Sequence, residues 1–174
     1  MNNLFEQAYA LLEEVTPLTT DCGVVCDGRC CRESADSEGM LLFPGEETML
    51  ADTDFTIRPV EGGLLLTCGG TCDRRRRPLA CRMFPLFPIL TEEGRVKAVY
   101  DPRGYRMCPL VRECAHVPLD RDFVRRVRRV GRILTADPAC AAFLRLQSRE
   151  IADLNRLLKL EEERPPIARR RVVK

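Results

Sequence analysis

The hydrophobic positions near the start of the chain follow a helical period. Apolar residues recur every three or four positions from Leu4 to Val15, with glutamates on the opposite side. This pattern predicts an amphipathic helix over about residues 3–15, whose apolar face packs on the core.

Two further helices are predicted toward the end of the chain. Apolar residues from Phe123 to Leu134 lie on one side of the first of these helices, and arginines cover its outer face. The second helix begins with the residue types of an N-cap and a first helical position, Asp137 and Pro138. Its apolar residues continue to about residue 162.

Between these helices the pattern is that of short strands. Residues 55–60 and 64–67 surround a Glu-Gly-Gly turn, and residues 89–91 and 95–100 surround a Glu-Glu-Gly turn. Each pair predicts a β-hairpin. The predicted fold class is therefore α+β: a small cysteine-rich region with short β-hairpins, flanked by an N-terminal helix and two C-terminal helices.

The length of 174 residues suits one domain, and no repeat or linker divides the chain. We predict a single domain over residues 1–174, with a cysteine-rich region over about 20–115. C-terminal helices over about 120–162 and a basic tail over 163–174 complete it. A chain of this length can bury a core without covalent cross-links, so the cysteines are not needed as staples.

Charge and hydropathy exclude several classes of partner. The net charge of +2 is too small to indicate nucleic-acid binding, and no nucleic-acid-reading motif is present. No stretch approaches the roughly 18 apolar residues of a membrane span. The first residues lack the basic and apolar regions of a signal peptide. We predict a cytoplasmic protein without a membrane partner. A nucleic-acid partner is disfavoured, and we leave a protein partner open.

Ten cysteines are the strongest chemical signal in the chain. In a reducing cytoplasm, clustered cysteines indicate metal ligands rather than disulfides. Four of them lie between residues 22 and 31 in the pattern C-x3-C-x3-C-C, and a C-x3-C pair follows at residues 68–72. Thiolates are soft ligands that suit zinc and iron–sulfur clusters.

The spacing of the first cluster leaves the number of metal centres open. On a helix, Cys22 and Cys26 would share one face, about 6 Å apart along the axis. Cys30 would lie about 12 Å from Cys22 on a straight helix, too far to share a mononuclear site. Either Gly28 bends the segment or the cysteines bind more than one metal.

The cysteine pattern, followed by the segment R-P-L-A-C-R-M-F-P at residues 77–85, resembles the YkgJ-like family of zinc- or iron-chelating cysteine-cluster proteins. The likeness covers about residues 20–110, and a related cluster appears in bacterial flagellin lysine methylases. The family is defined by its cysteines more than by one activity. By this resemblance the metal ligands are Cys22, Cys26, Cys30, Cys31, Cys68, Cys72, Cys81 and Cys108.

The resemblance implies a protein that holds zinc or an iron–sulfur or other iron centre through thiolates, in support of redox or protein-modification chemistry. Whether the chain is an enzyme stays open. The alternative is a non-enzymatic structural zinc module that presents its arginine faces to a protein or nucleic acid. A thiol-redox or metal-trafficking role is disfavoured because no thioredoxin-like C-x-x-C is present.

Other residues near the cysteines have competing interpretations. The arginines at 74–77 and Arg82 either offset thiolate charge or form a solvated loop. Cys140, among alanines on a predicted helix, is interpreted as a small buried hydrophobe. Cys114 is undecided, and His116 lacks the neighbours of a catalytic set.

Overall fold

In the computed structural model, which describes residues 3–32, 39–51, 53–70, 72–112 and 117–159, helices alternate with two small antiparallel sheets. The helices are α1 Asn3–Leu11, α2 Cys22–Cys26, α3 Arg29–Arg32, α4 Leu79–Met83, α5 Pro109–Arg112, α6 Arg121–Leu134 and α7 Pro138–Leu157. The strands are β1 Met40–Leu41, β2 Thr56–Val60, β3 Gly63–Thr67, β4 Leu86–Leu90 and β5 Val96–Tyr100. This confirms the predicted α+β class.

Both predicted hairpins are present. Strands β2 and β3 pair with each other, and β1 pairs with the other edge of β3. The second hairpin, β4 with β5, begins at Leu86 rather than at residue 89 and includes Pro88, which lies opposite Ala98. A two-stranded sheet has only edge strands, so the missing N–H of Pro88 interrupts no central ladder.

Helix α6 packs on α1 and across the β4–β5 hairpin, and α7 packs on β4. Helix α6 approaches the hairpin closely at Gly131, where a Cβ atom would lie 2.6 Å from Cβ of Pro88 and 2.7 Å from Cγ1 of Val96. Ala8 and Leu12 at the N-terminus and Phe123 on α6 are fully buried. The N-terminal segment and the C-terminal helices therefore share one core.

Helix α1 is shorter than predicted, ending at Leu11 rather than near residue 15. The backbone N–H of Leu12 donates to the carbonyl of Tyr9, three residues back, at 3.0 Å. Such bonds tighten a last turn and end a helix. The apolar face continues beyond the helix, since Val15 is buried outside it.

The predicted starts of both long helices are confirmed. The Asp120 side chain accepts hydrogen bonds from the backbone N–H groups of Asp122 and Phe123. The Asp137 side chain accepts one from Cys140 at 2.8 Å, and Pro138 occupies the first position of α7. Each carboxylate satisfies an amide that has no partner within its helix.

Within the described ranges, no helix combines the length and the apolar character that crossing a bilayer requires.

Candidate metal centre

The first two cysteines of the cluster lie on a helix, as the spacing predicts. The carboxylate of Asp21 accepts a hydrogen bond from the backbone N–H of Gly23 at 3.0 Å and caps α2. Cys22 and Cys26 are the first and last residues of α2, one turn apart on one face. The thiol of Cys26 donates to the carbonyl of Cys22, with a sulfur–oxygen distance of 3.6 Å.

The chain then turns, so Cys30 does not continue that helix. Asp27 and Gly28 have left-handed φ values of 56° and 63°. The N–H groups of both residues donate to the carbonyl of Gly23, which closes α2 before α3 begins. The bend that we considered for Gly28 is therefore present, and Gly28 shares it with Asp27.

The other predicted ligands come from separate elements. Cys68 follows β3, and Cys72 precedes a 3-10 turn over Arg74–Arg76. Cys81 lies within α4, and Cys108 immediately precedes α5. Cys108 is buried and the other seven predicted ligands are half-buried. All nine cysteines in the described part of the chain are free thiols.

Electrostatic interactions define two groups among the eight predicted ligands, one around Cys22 and one around Cys81, and the two groups are linked through Cys30 and Cys31. In the first thiol set, burial raises the pKa of Cys22 to about 11, helped by the charges of Asp21, Cys26 and Cys108. Cys30 interacts with Cys22 and Cys26 as well. The first thiol set therefore consists of Cys22, Cys26, Cys30 and Cys108.

The second thiol set gathers around Cys81. Burial raises the pKa of Cys81, and the charges of Cys31, Cys72 and Cys68 raise it further. The pKa of Cys72 is also raised by burial and by Cys68 and Cys31, against the lowering effect of Arg77. The second thiol set therefore consists of Cys31, Cys68, Cys72 and Cys81.

The two sets meet at the neighbours Cys30 and Cys31. A hydrogen bond between the two thiols raises the pKa of Cys30 and lowers the pKa of Cys31. Both directions are expected, because the thiol of Cys30 as donor stabilises a thiolate at Cys31. Cys30 would have to lose its own proton beside that anion, which is unfavourable.

The donor set has the right chemistry for a soft metal, but its side chains are not arranged as ligands. Among the described residues, no group of three or more Cys, His, Asp or Glu side chains is positioned to hold a metal ion. Backbone N–H groups nevertheless favour a thiolate at Cys108, where hydrogen bonds from Val111 and Leu110 oppose the rise in pKa that burial causes. Amide donors of this kind are a common feature around metal-bound sulfur.

Arg77 interacts directly with the thiols. Burial alone would lower its pKa, but a hydrogen bond with Cys72 and the charges of Cys72, Cys31 and Asp21 raise it. Its Nε atom is buried and has no hydrogen-bond partner among the described residues.

Other arginines of this segment are directed elsewhere. Arg82 donates to the carbonyls of Arg77 and Arg75 and lies 4.5 Å from the ring centroid of Tyr9. Arg74 donates to the carbonyl of Val15. Of the arginines that we considered as charge compensators, Arg77 is therefore one with a described contact to the thiols.

Glu46 is a polar residue that the sequence pattern did not reveal. It is fully buried, and burial raises its pKa. Its carboxylate accepts hydrogen bonds from the hydroxyl of Tyr9 at 2.8 Å and from the N–H groups of Leu79 at 2.6 Å and Phe43 at 3.0 Å. It thereby connects α1, its own 3-10 helix over Glu46–Met49 and the start of α4, the helix that carries Cys81.

The remaining candidates are placed as follows. Cys140 is 1% exposed within the core, where its thiol lies 3.5 Å from the carbonyl of Pro44, which agrees with its interpretation as a small buried residue. Cys114 and His116 lie outside the described residues.

Comparison of the chain with protein-family models, with curated proteins and with solved structures finds no match, so the resemblance to the YkgJ-like family stays a prediction.

Proposed function

We propose that this chain is a YkgJ-like cysteine-cluster protein that binds metal through two groups of four thiolates. One centre uses the first thiol set and the other uses the second. The observation that carries the proposal is that eight cysteines from six separate segments interact electrostatically in two groups, which are linked through Cys30 and Cys31.

Four thiolates are the number that both a structural zinc ion and an iron–sulfur cluster take. Zinc would supply a structural cross-link, and an iron–sulfur cluster would supply electron transfer. Either would replace thiol protons, and its binding free energy would add to folding.

The residues of the chain have distinct tasks in this proposal. The bend at Asp27 and Gly28 redirects the backbone so that Cys30 faces back toward α2. Arg77 places a positive charge beside Cys72 and Cys31, where a four-thiolate centre would carry excess negative charge. Glu46 fixes the start of α4 and with it the backbone of Cys81.

Protein purified without oxygen tests the proposal through metal and sulfide analysis. We expect two zinc ions per chain in a colourless solution, or iron and acid-labile sulfide in a brown one. A preparation that contains neither zinc nor iron contradicts the proposal.

A structural zinc module is the alternative function, and the outer face of α6 favours it. Arg121, Arg125, Arg129 and Arg132 are exposed along this helix. Only Arg125 among them forms an ion pair within the described residues, with Asp122 at 3.0 Å. A row of exposed guanidinium groups suits an acidic protein surface. Zinc without sulfide, together with salt-sensitive binding of an acidic protein that Arg129→Glu abolishes, would favour this alternative.

Replacing Arg77 with leucine is expected to weaken metal binding by about 10- to 100-fold, the usual effect of removing a group that supports metal ligands. The reason is the loss of the positive charge and the hydrogen bond at Cys72. Competition with a chelator measures the affinity. Arg75→Leu is the matched control because Arg75 is exposed and has no contact with the thiols in the described structure. Equal affinity in both variants would remove Arg77 from the proposal.

A further inference from the structure

A cavity of about 290 Å³ lies beside the second thiol set. All four cysteines of that set and Cys30 contribute to its lining. Most of the remaining wall is apolar, with aromatic side chains from Phe84, Phe87 and Phe143. A mostly apolar pocket with a few polar groups is the usual form of a small-molecule site. The thiols occupy only part of this wall, so the cavity extends beyond any metal that they would hold.

The polar part of the lining is a network around Arg103. The guanidinium donates to both carboxylate oxygens of Asp101, from Nε at 2.8 Å and from Nη2 at 2.6 Å. It also donates to the side-chain carbonyl of Gln147 and lies 5.0 Å from the ring centroid of Phe87. Asp101 and Gln147 are almost completely buried. Their contacts hold Arg103 in one orientation at the cavity wall.

Two N–H donors of Arg103 are not engaged in this network, whereas the carboxylate of Asp101 is fully paired. A guanidinium has five N–H donors, and the described contacts of Arg103 engage three of them. Asp101 is the carboxylate in the lining, and Arg103 pairs with both of its oxygens. Arg77, the other arginine of the lining, is directed to Cys72. The lining therefore favours a ligand that brings negatively charged acceptor oxygens to Arg103.

We propose that the cavity binds a small organic acid whose carboxylate pairs with Arg103 and whose apolar body packs against the aromatic wall. The volume lies just below the range of about 300–1,000 Å³ for drug-sized ligands, so a short monocarboxylate fits better than a nucleotide cofactor. This inference stands on the cavity and its side chains and does not depend on metal.

Calorimetric titration of the full chain with octanoate tests this proposal. We expect saturable binding of one octanoate per chain. Octanol, which has the same apolar body without the charge, is expected to bind at least tenfold more weakly, and inorganic phosphate is expected not to bind. Arg103→Leu should weaken octanoate binding at least tenfold. Arg106→Leu, at an exposed arginine outside the lining, should leave it unchanged.

Arg103→Leu leaves the buried carboxylate of Asp101 without its cation and could therefore destabilise the fold. A second variant tests the cavity without removing this ion pair. Met40 lies on the cavity wall, and Met40→Trp should narrow the space and weaken octanoate binding at least tenfold while the chain stays folded. The proposal is overturned if octanoate fails to bind the native chain, if octanol or phosphate binds as well, or if Met40→Trp binds normally. Metal content measured on the same samples separates the two proposals. Full metal without octanoate binding rejects only the cavity, and octanoate binding without metal rejects only the thiol centres.

Discussion

Cys26→Ala is expected to lose half of the metal that the native chain binds and to unfold at a lower temperature. The variant removes one of four thiolates from the first thiol set and leaves the second set complete. Because the free energy of metal binding contributes to folding, the segment around α2 and α3 should be less stable in the variant. Metal analysis of the purified variant, with a thermal melt before and after chelation, measures both effects.

Two matched variants make this result specific. Cys72→Ala should lose the other half of the metal, and the double variant with Cys26→Ala should lose nearly all of it. Cys140→Ala should keep the full metal content, since Cys140 lies in the core among different neighbours. If Cys26→Ala and Cys72→Ala each remove all of the metal, the two sets form one centre. Full metal in both variants would exclude these cysteines as ligands.

Glu46→Ala is expected to lower the free energy of unfolding by about 3 kcal/mol or more. The variant leaves three donors without an acceptor, namely the Tyr9 hydroxyl and the N–H groups of Phe43 and Leu79. Each buried donor that loses its partner costs about 1–3 kcal/mol. Urea unfolding followed by circular dichroism gives the difference.

The adjacent glutamate supplies the control for this experiment. One carboxylate oxygen of Glu47 is buried without a hydrogen-bond partner among the described residues, so Glu47→Ala should leave the free energy of unfolding unchanged or raise it. Tyr9→Phe removes only one of the donors to Glu46 and should cost about 1 kcal/mol. Equal stability of Glu46→Ala and Glu47→Ala would show that the buried network does not stabilise the fold.

Local signals along the chain were sufficient to predict most of the elements. Asp120 and Asp137 start α6 and α7 because their side chains satisfy amides only one turn away. The two hairpins follow from turn residues between apolar runs. The end of α1 was missed because a tightened turn at Leu12 leaves the apolar pattern unbroken.

The grouping of the cysteines could not be predicted from their spacing. Cys30 and Cys31 are neighbours in sequence, yet Cys30 interacts with Cys22 and Cys26 whereas Cys31 interacts with Cys81. Cys108 interacts with Cys22 across about half of the chain. Such partners depend on how β3, α4 and α5 pack, which no local pattern encodes. Glu46 was missed for a similar reason, because a glutamate in the first turn of a helix is normally a surface residue.

The attachment of α1 to the C-terminal helices limits how the chain can be divided for further work. Arg126 on α6 donates to the carbonyl of Leu11 at 3.0 Å, and the N–H of Asp120 donates to the carbonyl of Pro17 at 2.8 Å. A fragment trimmed to the cysteines alone would lose these bonds and uncover the apolar side chains of α1 and α6. Recombinant truncations should therefore keep both ends, because the thiol-bearing middle is not a module that can be excised.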